Sequence, residues 1–334
     1  MEIFQFIRPN ECDSLNELHG IDLQYLLLLL NDYYIELRDT LNIDKKVTFG
    51  FEFEFEKLKI SKLKMDEKLY SIVSDLYFSK LDNSVPNGFE ISTPILTDTK
   101  SNWNELSHVC NLCKEYADVG SHAGGHIHIG SQILGSNEAS WLNFIKVWAI
   151  YENIIYRFCY GEYLEGRQSI EKYAYPQSYN YYRKYQELKY ENCGVQKVIA
   201  KLTDCKRLGV NLNNINGECL DYIRDKNTIE FRCPNASLQL AIWQNNLNLL
   251  VKLLEYSKTN INHNILDNRY EINNELNIYS KLDYYGEIYL DEALEFADLI
   301  FDNNLDKINF LKQYLKSFKV ASGREYSKKI SLCK

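Results

Sequence analysis

The sequence predicts an α+β protein, in which a mainly antiparallel sheet carries helices on one side. Three stretches predict the strands that matter most. Residues 47–56, VTFGFEFEFE, alternate between apolar and acidic side chains, and such alternation is typical of a strand whose successive side chains point to opposite faces. Residues 124–130, GGHIHIG, and residues 228–232, TIEFR, alternate in the same way. Longer helical patterns lie between these strands, which indicates a mixed architecture.

The remaining elements follow from periodicity and turn residues. Residues 1–20 are expected to be irregular, and residues 57–68 to form a hairpin or a short helix. The turn LDNSVPNG joins two further strands. The tyrosine-rich segment 161–190 is either a lid or adenine-stacking loop, or a partly buried excursion. The predicted helices are residues 21–43, 102–118, 137–160, 238–256, 290–301 and 306–318. The other predicted strands are residues 71–80, 88–95, 207–213 and 228–233.

Charge and composition exclude several classes of protein. The net charge of −8 argues against nucleic acid as a partner, because nothing basic is available to neutralise a run of phosphates. The start of the chain lacks a signal-like pattern, and the five leucines at 26–30 are too few to span a membrane. We therefore expect a cytoplasmic protein without a membrane partner. The nine cysteines suggest no disulfide framework, and Cys110 and Cys113 are expected to be buried free thiols on a helix.

The strand at 47–56 has one face that must be buried and one that carries charge. Phe51, Phe53 and Phe55 share a face and are too apolar to leave in water. The opposite face holds glutamates at 52, 54 and 56, at intervals of roughly 6.6 Å along a strand. Like charges at this spacing repel unless water or a cation separates them. By itself this pattern also fits an edge strand with a solvated face.

Three other strands present polar side chains of the same kind. Each has an ordinary structural explanation alone: a His-x-His pair is often structural or exposed, and a Glu-x-Arg face is often solvated or paired across strands. Together they favour a shared cleft, because an antiparallel sheet would place all of these polar faces on one side. Four carboxylates at close range need neutralising, which divalent cations do well. The side chains predicted to line this cleft are Glu52, Glu54, Glu90, His126, His128, Glu230 and Arg232.

The type of side chain indicates the metal. Sites dominated by oxygen ligands suit Mg²⁺ or Mn²⁺, whereas zinc favours more histidine or cysteine. Magnesium sites with few protein ligands usually complete their coordination with water and nucleotide phosphates. An arginine beside such a site, here Arg232, would stabilise the charge on a transferring phosphoryl group.

In this order, the motifs resemble the glutamine synthetase and glutamate–cysteine ligase superfamily of carboxylate–amine ligases, and most closely its amidoligase branch. The resemblance covers residues 47–256. GFEFE is similar to the family's Glu-x-Glu, GGHIHIG to its Gly-x-His-x-His, and TIEFR to its Glu-x-Arg. LDNSV, GFEISTPIL and the helix containing Trp243 resemble further amidoligase segments.

The resemblance implies a curved, mainly antiparallel sheet of the glutamine synthetase-like catalytic fold, with helices on its outer face. It divides the chain into three parts. Residues 1–45 would be a helical segment packed on the core, and residues 46–256 the catalytic domain. Residues 257–334 would be a mainly helical extension of the same domain.

The resemblance also implies roles for individual residues. Glu54 and Glu90 would hold the ion nearest the substrate carboxylate. A second set, consisting of Glu52, His126 and Glu230, would hold the ion that bridges the phosphates of ATP. The expected cofactors are thus ATP with Mg²⁺ or Mn²⁺.

The remaining implied roles concern phosphate and the reaction itself. His128 and Arg232 would contact the transferring phosphate and, with Glu90, act in catalysis. Arg207 and Arg167 are further candidates for nucleotide contacts. Glu56 extends the acidic face beyond the family's usual pair and is expected to be exposed.

The expected activity is ATP-dependent joining of a carboxylate to an amine through an acyl phosphate, giving an amide or isopeptide bond. The substrates would be small molecules or peptides, and the oligomeric state is left open. Two enzymatic alternatives use the same residues. One is a phosphotransferase of the related guanidino-kinase fold, and the other is a zinc-dependent hydrolase in which His126 and His128 bind zinc and Glu90 is the base. A non-enzymatic binding module descended from a ligase is the third alternative.

Overall fold

A computed structural model describes residues 10–18, 20–85, 87–168, 170–215, 227–259, 261–276, 288–316, 320–321 and 329–334. Its main sheet has six strands in the spatial order β2-β3-β1-β4-β6-β5, and every neighbouring pair is antiparallel. The strands are β1 (Phe49–Phe55), β2 (Phe78–Asp82), β3 (Gly88–Ser92), β4 (Gly125–Gly130), β5 (Val210–Asn211) and β6 (Thr228–Phe231). A separate pair, β7 (Val320–Ala321) and β8 (Lys329–Ile330), forms a two-stranded sheet.

Eleven α-helices are described beside this sheet. Those before β5 are α1 (Leu23–Leu30), α2 (Lys62–Tyr70), α3 (Lys100–Tyr116), α4 (Glu138–Cys159), α5 (Ile170–Tyr173), α6 (Ser178–Leu188) and α7 (Val195–Leu202). Those after β6 are α8 (Leu240–Ser257), α9 (His263–Glu275), α10 (Leu290–Ile300) and α11 (Asn304–Leu315). In the described part of the chain, no helix combines the length and apolar character needed to cross a bilayer.

One face of the sheet is buried under aromatic side chains. Phe51, Phe53 and Phe55 on β1 are almost completely buried. The ring of Phe53 meets that of Trp243 on α8 edge to face, with centroids 4.8 Å apart. Trp103 on α3 stacks on Phe49 at 5.5 Å. Aromatic pairs of this kind add to the stabilisation from burial itself. Packing on the apolar side of β1 therefore stabilises the strand.

The predicted fold class is confirmed: an antiparallel sheet carries helices on its apolar face. The predicted helix at 21–43 is wrong beyond Leu30, however. The chain leaves the helix at Asn31, and Ile35 forms an isolated bridge with Cys333 near the other end of the sequence. Residues 57–68 contribute to a short helix rather than a hairpin. The strand predicted at 207–213 is shorter than expected, since only 210–211 pair with β6.

The tyrosine-rich segment lies against α4 as helices. Tyr181 and Tyr185 on α6 are buried. The carboxylate of Glu152, on α4, accepts hydrogen bonds from the backbone N–H groups of Gln177 and Ser178, where α6 begins. A buried carboxylate at this position satisfies donors that the first turn of a helix leaves unpaired. Other tyrosines of the segment are exposed, so the segment is partly buried, and a role as a lid stays a prediction.

Two smaller expectations concern cysteines and domain organisation. Cys110 and Cys113 lie buried on α3 and are free thiols, as predicted. The division of the chain at residues 45 and 256 stays a prediction. One hydrophobic cluster contains residues from all three parts, among them Leu26, Phe53 and Leu311.

Candidate functional site

The face of the sheet opposite the phenylalanines carries all seven side chains predicted to line a cleft, and we call it the open face. The strand register explains how they meet. Glu52 on β1 lies opposite His126 on β4, and Glu54 lies opposite Glu90 on β3. On the next pair, His128 lies opposite Glu230 of β6. Because side chains directly opposite each other in antiparallel strands have Cβ atoms about 5 Å apart, the register alone brings these groups within contact.

Three of these side chains form what we call the imidazole–carboxylate cluster: Glu52, His128 and Glu230. Each offers a ligand atom within 4.8 Å of the others. His128 Nδ1 lies 3.1 Å from the hydroxyl of Thr228, which orients the ring. Its other nitrogen, Nε2, lies 3.3 Å from Glu52 Oε1 and is buried without a hydrogen bond. An imidazole held through one nitrogen with the other turned toward carboxylates is the usual arrangement of a metal-ligating histidine.

His126 lies between this cluster and the next carboxylate. Its Nδ1 is 2.7 Å from Glu52 Oε2 and 3.4 Å from Glu230 Oε1. Its Nε2 is 3.5 Å from Glu54 Oε1. The ring is buried, so it contacts three glutamates with little access to water. His126 can thus hold these carboxylates apart or share in binding an ion with Glu52 and Glu230.

The electrostatics of the cluster favour ionised glutamate. Burial alone would raise the pKa of Glu52, but its contacts with His126 and His128 outweigh burial and hold the pKa well below its ordinary value. Burial alone would lower the pKa of His128, but Glu52 and Glu230 raise it. A cation bound here would compete with a proton on His128, and metal binding would then release that proton.

A second group of carboxylates, which we call the carboxylate trio, consists of Glu54, Asp82 and Glu90, whose ligand atoms also lie within 4.8 Å of one another. Lys80 Nζ is 2.8 Å from Glu90 Oε1. Burial and the charge of Glu52 raise the pKa of Glu90, and Lys80 partly offsets that rise. Sequence reasoning assigned no role to Lys80 or Asp82. The alternation in FSKLD would have placed both on one face of β2.

The predicted arginines have three different environments. Arg232 is ion-paired with Glu230, and its Nε donates a hydrogen bond to the carbonyl of Tyr173 at 3.0 Å. Arg167 is buried, and its guanidinium donates to the main-chain carbonyls of Arg232 and Pro234. Arg207 stands exposed on a turn. The structure therefore brings Arg232 into the cluster and places Arg167 behind it, while Arg207 is outside it.

The last two glutamates of the acidic strand hold the loop before β4. Glu54 Oε2 accepts a hydrogen bond of 2.7 Å from the backbone N–H of Gly124. Glu56 Oε1 accepts from the N–H groups of His122 and Ala123 at 2.7 and 3.0 Å. The expectation that Glu56 is exposed is wrong, since it is 3% exposed. Its carboxylate is buried because it replaces water for two backbone donors of this loop.

A cavity of about 470 Å³ opens beside the cluster. Glu52 and His128 form one end of it, and Thr93, Pro94 and Ile95 form another part of the wall. Gly50 lies between them, opposite His128 in the strand register, so the lack of a side chain there leaves the floor open. A second cavity, of about 800 Å³, is lined by Asp82 and His122 on the side of the carboxylate trio. The open face thus has space for a ligand beside the imidazole–carboxylate cluster.

The donor set fits a hard divalent ion at the imidazole–carboxylate cluster. Two carboxylates and one imidazole are typical of sites that prefer oxygen ligands, such as those of Mg²⁺ and Mn²⁺. The buried Nε2 of His128 makes no hydrogen bond and points toward that position, where it can act as a metal ligand. Arg232 beside Glu230 supplies a fixed positive charge next to any anion that such an ion would attract.

Comparison with known proteins identifies a family. A family model described as "Putative amidoligase enzyme" matches residues 62–254, more than half of the 334 residues. The match contains β3, β4 and β6 with their site residues and begins after β1. A comparison with curated proteins finds none that matches. A solved "novel glutamine synthase homolog" is similar at 11% identity and a TM-score of 0.38, over 80% of this chain and 65% of its own.

The family match bears on the kind of enzyme as well as on ancestry. Amidoligases are enzymes of the ligase type, and the expected resemblance is confirmed by a match that includes GGHIHIG and TIEFR and the chain between them. The chain spans about 65% of the length of the solved homologue. This chain belongs to the amidoligase family.

Proposed function

We propose that this protein is an ATP-dependent amidoligase that joins a carboxylate to an amine through an acyl phosphate. The observation that carries the proposal is the convergence of Glu52, His128 and Glu230 on the open face, with Arg232 ion-paired at its edge. A divalent ion, Mg²⁺ or Mn²⁺, would be held by these three ligands with His126 beside them. When bound, it would offset the negative charge of the ATP phosphates.

The first step proposed is phosphoryl transfer. A carboxylate oxygen of the substrate attacks the γ-phosphorus of ATP, the bond to the bridging oxygen breaks, and ADP leaves. Arg232 stabilises charge on the transferring group, because its guanidinium is fixed by Glu230 and by the carbonyl of Tyr173. His128 acts here as a ligand of the ion, and its direct contact with the transferred phosphate stays a prediction. A possible contact of Arg207 or Arg167 with ATP stays a prediction.

The second step is attack by the amine. Its nitrogen bonds to the acyl carbon, phosphate leaves with the oxygen that came from the carboxylate, and the nitrogen loses a proton. We assign this proton to Glu90, a buried carboxylate of the open face whose pKa is raised by burial and by Glu52. The products are an amide or isopeptide, ADP and phosphate, so atoms and charges balance.

The test is an ATP-turnover screen with Mg²⁺ against pooled carboxylates and amines, scored by ADP release and by the mass of new amides. For any productive pair, a carboxylate labelled with ¹⁸O should transfer one labelled oxygen to the released phosphate. Label in phosphate together with an amide supports the proposal. A stable phosphorylated product without an amide would favour the phosphotransferase instead, and amide cleavage without ATP would favour the hydrolase.

A matched pair of variants connects this activity to the site. Glu230→Gln should abolish ATP turnover, whereas Glu187→Gln, an exposed carboxylate paired with Arg183 on α6, should leave it unchanged. Equal turnover in both variants would remove Glu230 from the mechanism.

A further inference from the structure

Lys80 and Glu90 are direct neighbours across the β2–β3 pair. They lie opposite each other in the register, and Lys80 Nζ is 2.8 Å from Glu90 Oε1. The Glu90 side chain is 5% exposed and that of Lys80 is 48% exposed. The side chain of Lys80 therefore extends from the edge strand over the sheet, and its ammonium forms an ion pair with a carboxylate that is almost inaccessible to water.

The register keeps this ammonium within the carboxylate trio. Asp82 follows Lys80 by two residues, so both side chains point to the open face from the same strand. Among the described residues, Lys80 is the one lysine or arginine with its charged nitrogen within 4.0 Å of a trio carboxylate. One positive charge, half of what a divalent ion would bring, is thus already present beside these carboxylates.

The two groups of carboxylates differ in what they offer an ion. The imidazole–carboxylate cluster contains a buried imidazole nitrogen, Nε2 of His128, which makes no hydrogen bond and can ligate a metal once it is deprotonated. The trio contains an ammonium instead, which has three donors and no lone pair and cannot ligate a metal. An ion placed beside it would meet like-charge repulsion at short range. The trio therefore does not fit the second metal ion that the family resemblance implies for Glu54 and Glu90.

We propose that Lys80 takes the place of a second divalent ion in the carboxylate trio, so that the open face binds a single ion at Glu52, His128 and Glu230. This rests on the proposed function, because that function supplies the reason for the first ion. Lys80 then has a positioning role: its ion pair keeps the Glu90 carboxylate in place for the proton that the attacking amine loses.

The experiment counts Mn²⁺ ions per chain by calorimetric titration with the metal alone, checked by electron paramagnetic resonance of the free ion. We expect one ion for the wild type and two for Lys80→Met. The double variant Lys80→Met/Glu90→Gln should return to one, which locates the extra ion in the trio. Lys100→Met is the matched control, because Lys100 is an exposed lysine paired with Asp39, and it should bind the same number as the wild type.

Each outcome decides something. Two ions in the wild type, or equal counts in the wild type and Lys80→Met, would overturn the role of Lys80. No ion in the wild type but one in Lys80→Met would support that role and reject the metal site of the proposed function. Lys80→Gln repeats the measurement with a polar side chain, in case the methionine on this edge strand impairs folding, and the same gain of one ion is expected.

Discussion

The guanidinium of Arg167 donates a hydrogen bond of 2.9 Å to the main-chain carbonyl of Arg232. A second nitrogen of the same group donates to the carbonyl of Pro234, and the backbone N–H of Arg167 donates to the side chain of Asn235 at 3.0 Å. Arg167 is therefore hydrogen-bonded to the segment that immediately follows β6. The guanidinium of Arg167 contacts the backbone of this segment, and it thereby fixes the position from which Arg232 reaches the cluster.

Replacement of Arg167 by methionine should lower the free energy of unfolding by about 3 kcal/mol, because buried carbonyls lose charged donors. We expect Arg167→Lys to restore part of this loss. The measurement is urea denaturation, with Arg183→Met as the matched control because Arg183 is exposed on α6. A normal stability combined with a raised KM for ATP would contradict the positioning role and support direct contact with the nucleotide.

Two glycines of the sheet provide a second prediction, because they differ in the space around them. A Cβ at Gly125 would clash with Cη2 of Trp243, a buried ring packed on Phe53. A Cβ at Gly50 would have its nearest neighbours at 3.4 and 3.5 Å, which are ordinary contacts. Gly125→Ala should therefore lower the free energy of unfolding by about 2–3 kcal/mol, and Gly50→Ala should change it by less than about 0.5 kcal/mol.

Thermal and urea unfolding of the two variants measure this difference. Since both substitutions add the same methyl group to a strand of the same sheet, backbone entropy is matched between them. Equal destabilisation would mean that contact with Trp243 does not explain why the second residue of GGHIHIG, Gly125, is a glycine.

Much of the open face could be predicted from the sequence, because the alternation along β1, β4 and β6 and the burial of its apolar side agree. An antiparallel sheet then leaves one arrangement for the charged side chains, and Glu52, His126 and Glu230 do meet. The parts that could not be predicted depend on contacts between residues that are far apart in the sequence. Glu56 is buried by a loop 66 residues further on. Ile35 pairs with Cys333, and this tertiary contact overrides the helical pattern of residues 31–43.

Lys80 illustrates the same limit within the site. Its place on the face of β2 follows from alternation, but its distance from Glu90 depends on how the turn after Asp82 sets the register. Local sequence does not specify that register, so a lysine on an exposed edge strand has no evident role before the sheet is assembled.

A third prediction concerns metal affinity. Glu230 accepts hydrogen bonds from Asn211 and Arg232, so Glu230→Gln removes the charge from a carboxylate that is already oriented. We expect the affinity for Mn²⁺ to fall by more than about 100-fold, since loss of a direct ligand should exceed the 10- to 100-fold cost of losing an outer partner. Calorimetric titration measures this, and Glu187→Gln should bind as the wild type does. An unchanged affinity would exclude Glu230 as a ligand.

The last prediction concerns a buried carboxylate away from the open face. Glu292 on α10 is 2% exposed and accepts hydrogen bonds of 3.0 Å from the side chains of Asn153 and Asn273. Burial raises its pKa from an ordinary value of 4.5 to about 7, although the two asparagines oppose this rise. Between these two pH values Glu292 binds more protons in the folded protein than in the unfolded chain, so its contribution to the free energy of unfolding falls as the pH rises.

Glu292→Gln removes this titration. Relative to the wild type, the variant should gain stability progressively from pH 4.5 to 7, by about 3 kcal/mol at most, since a pKa difference of one corresponds to about 1.4 kcal/mol. Urea denaturation of both proteins across this range measures how the difference in their free energies of unfolding changes with pH. An effect of the amide on packing that is the same at every pH does not alter this change. The exposed Glu187→Gln variant should show the pH dependence of the wild type. A difference between Glu292→Gln and the wild type that stays constant from pH 4.5 to 8 would show that Glu292 remains ionised in the folded protein, and its two asparagine donors would then outweigh burial.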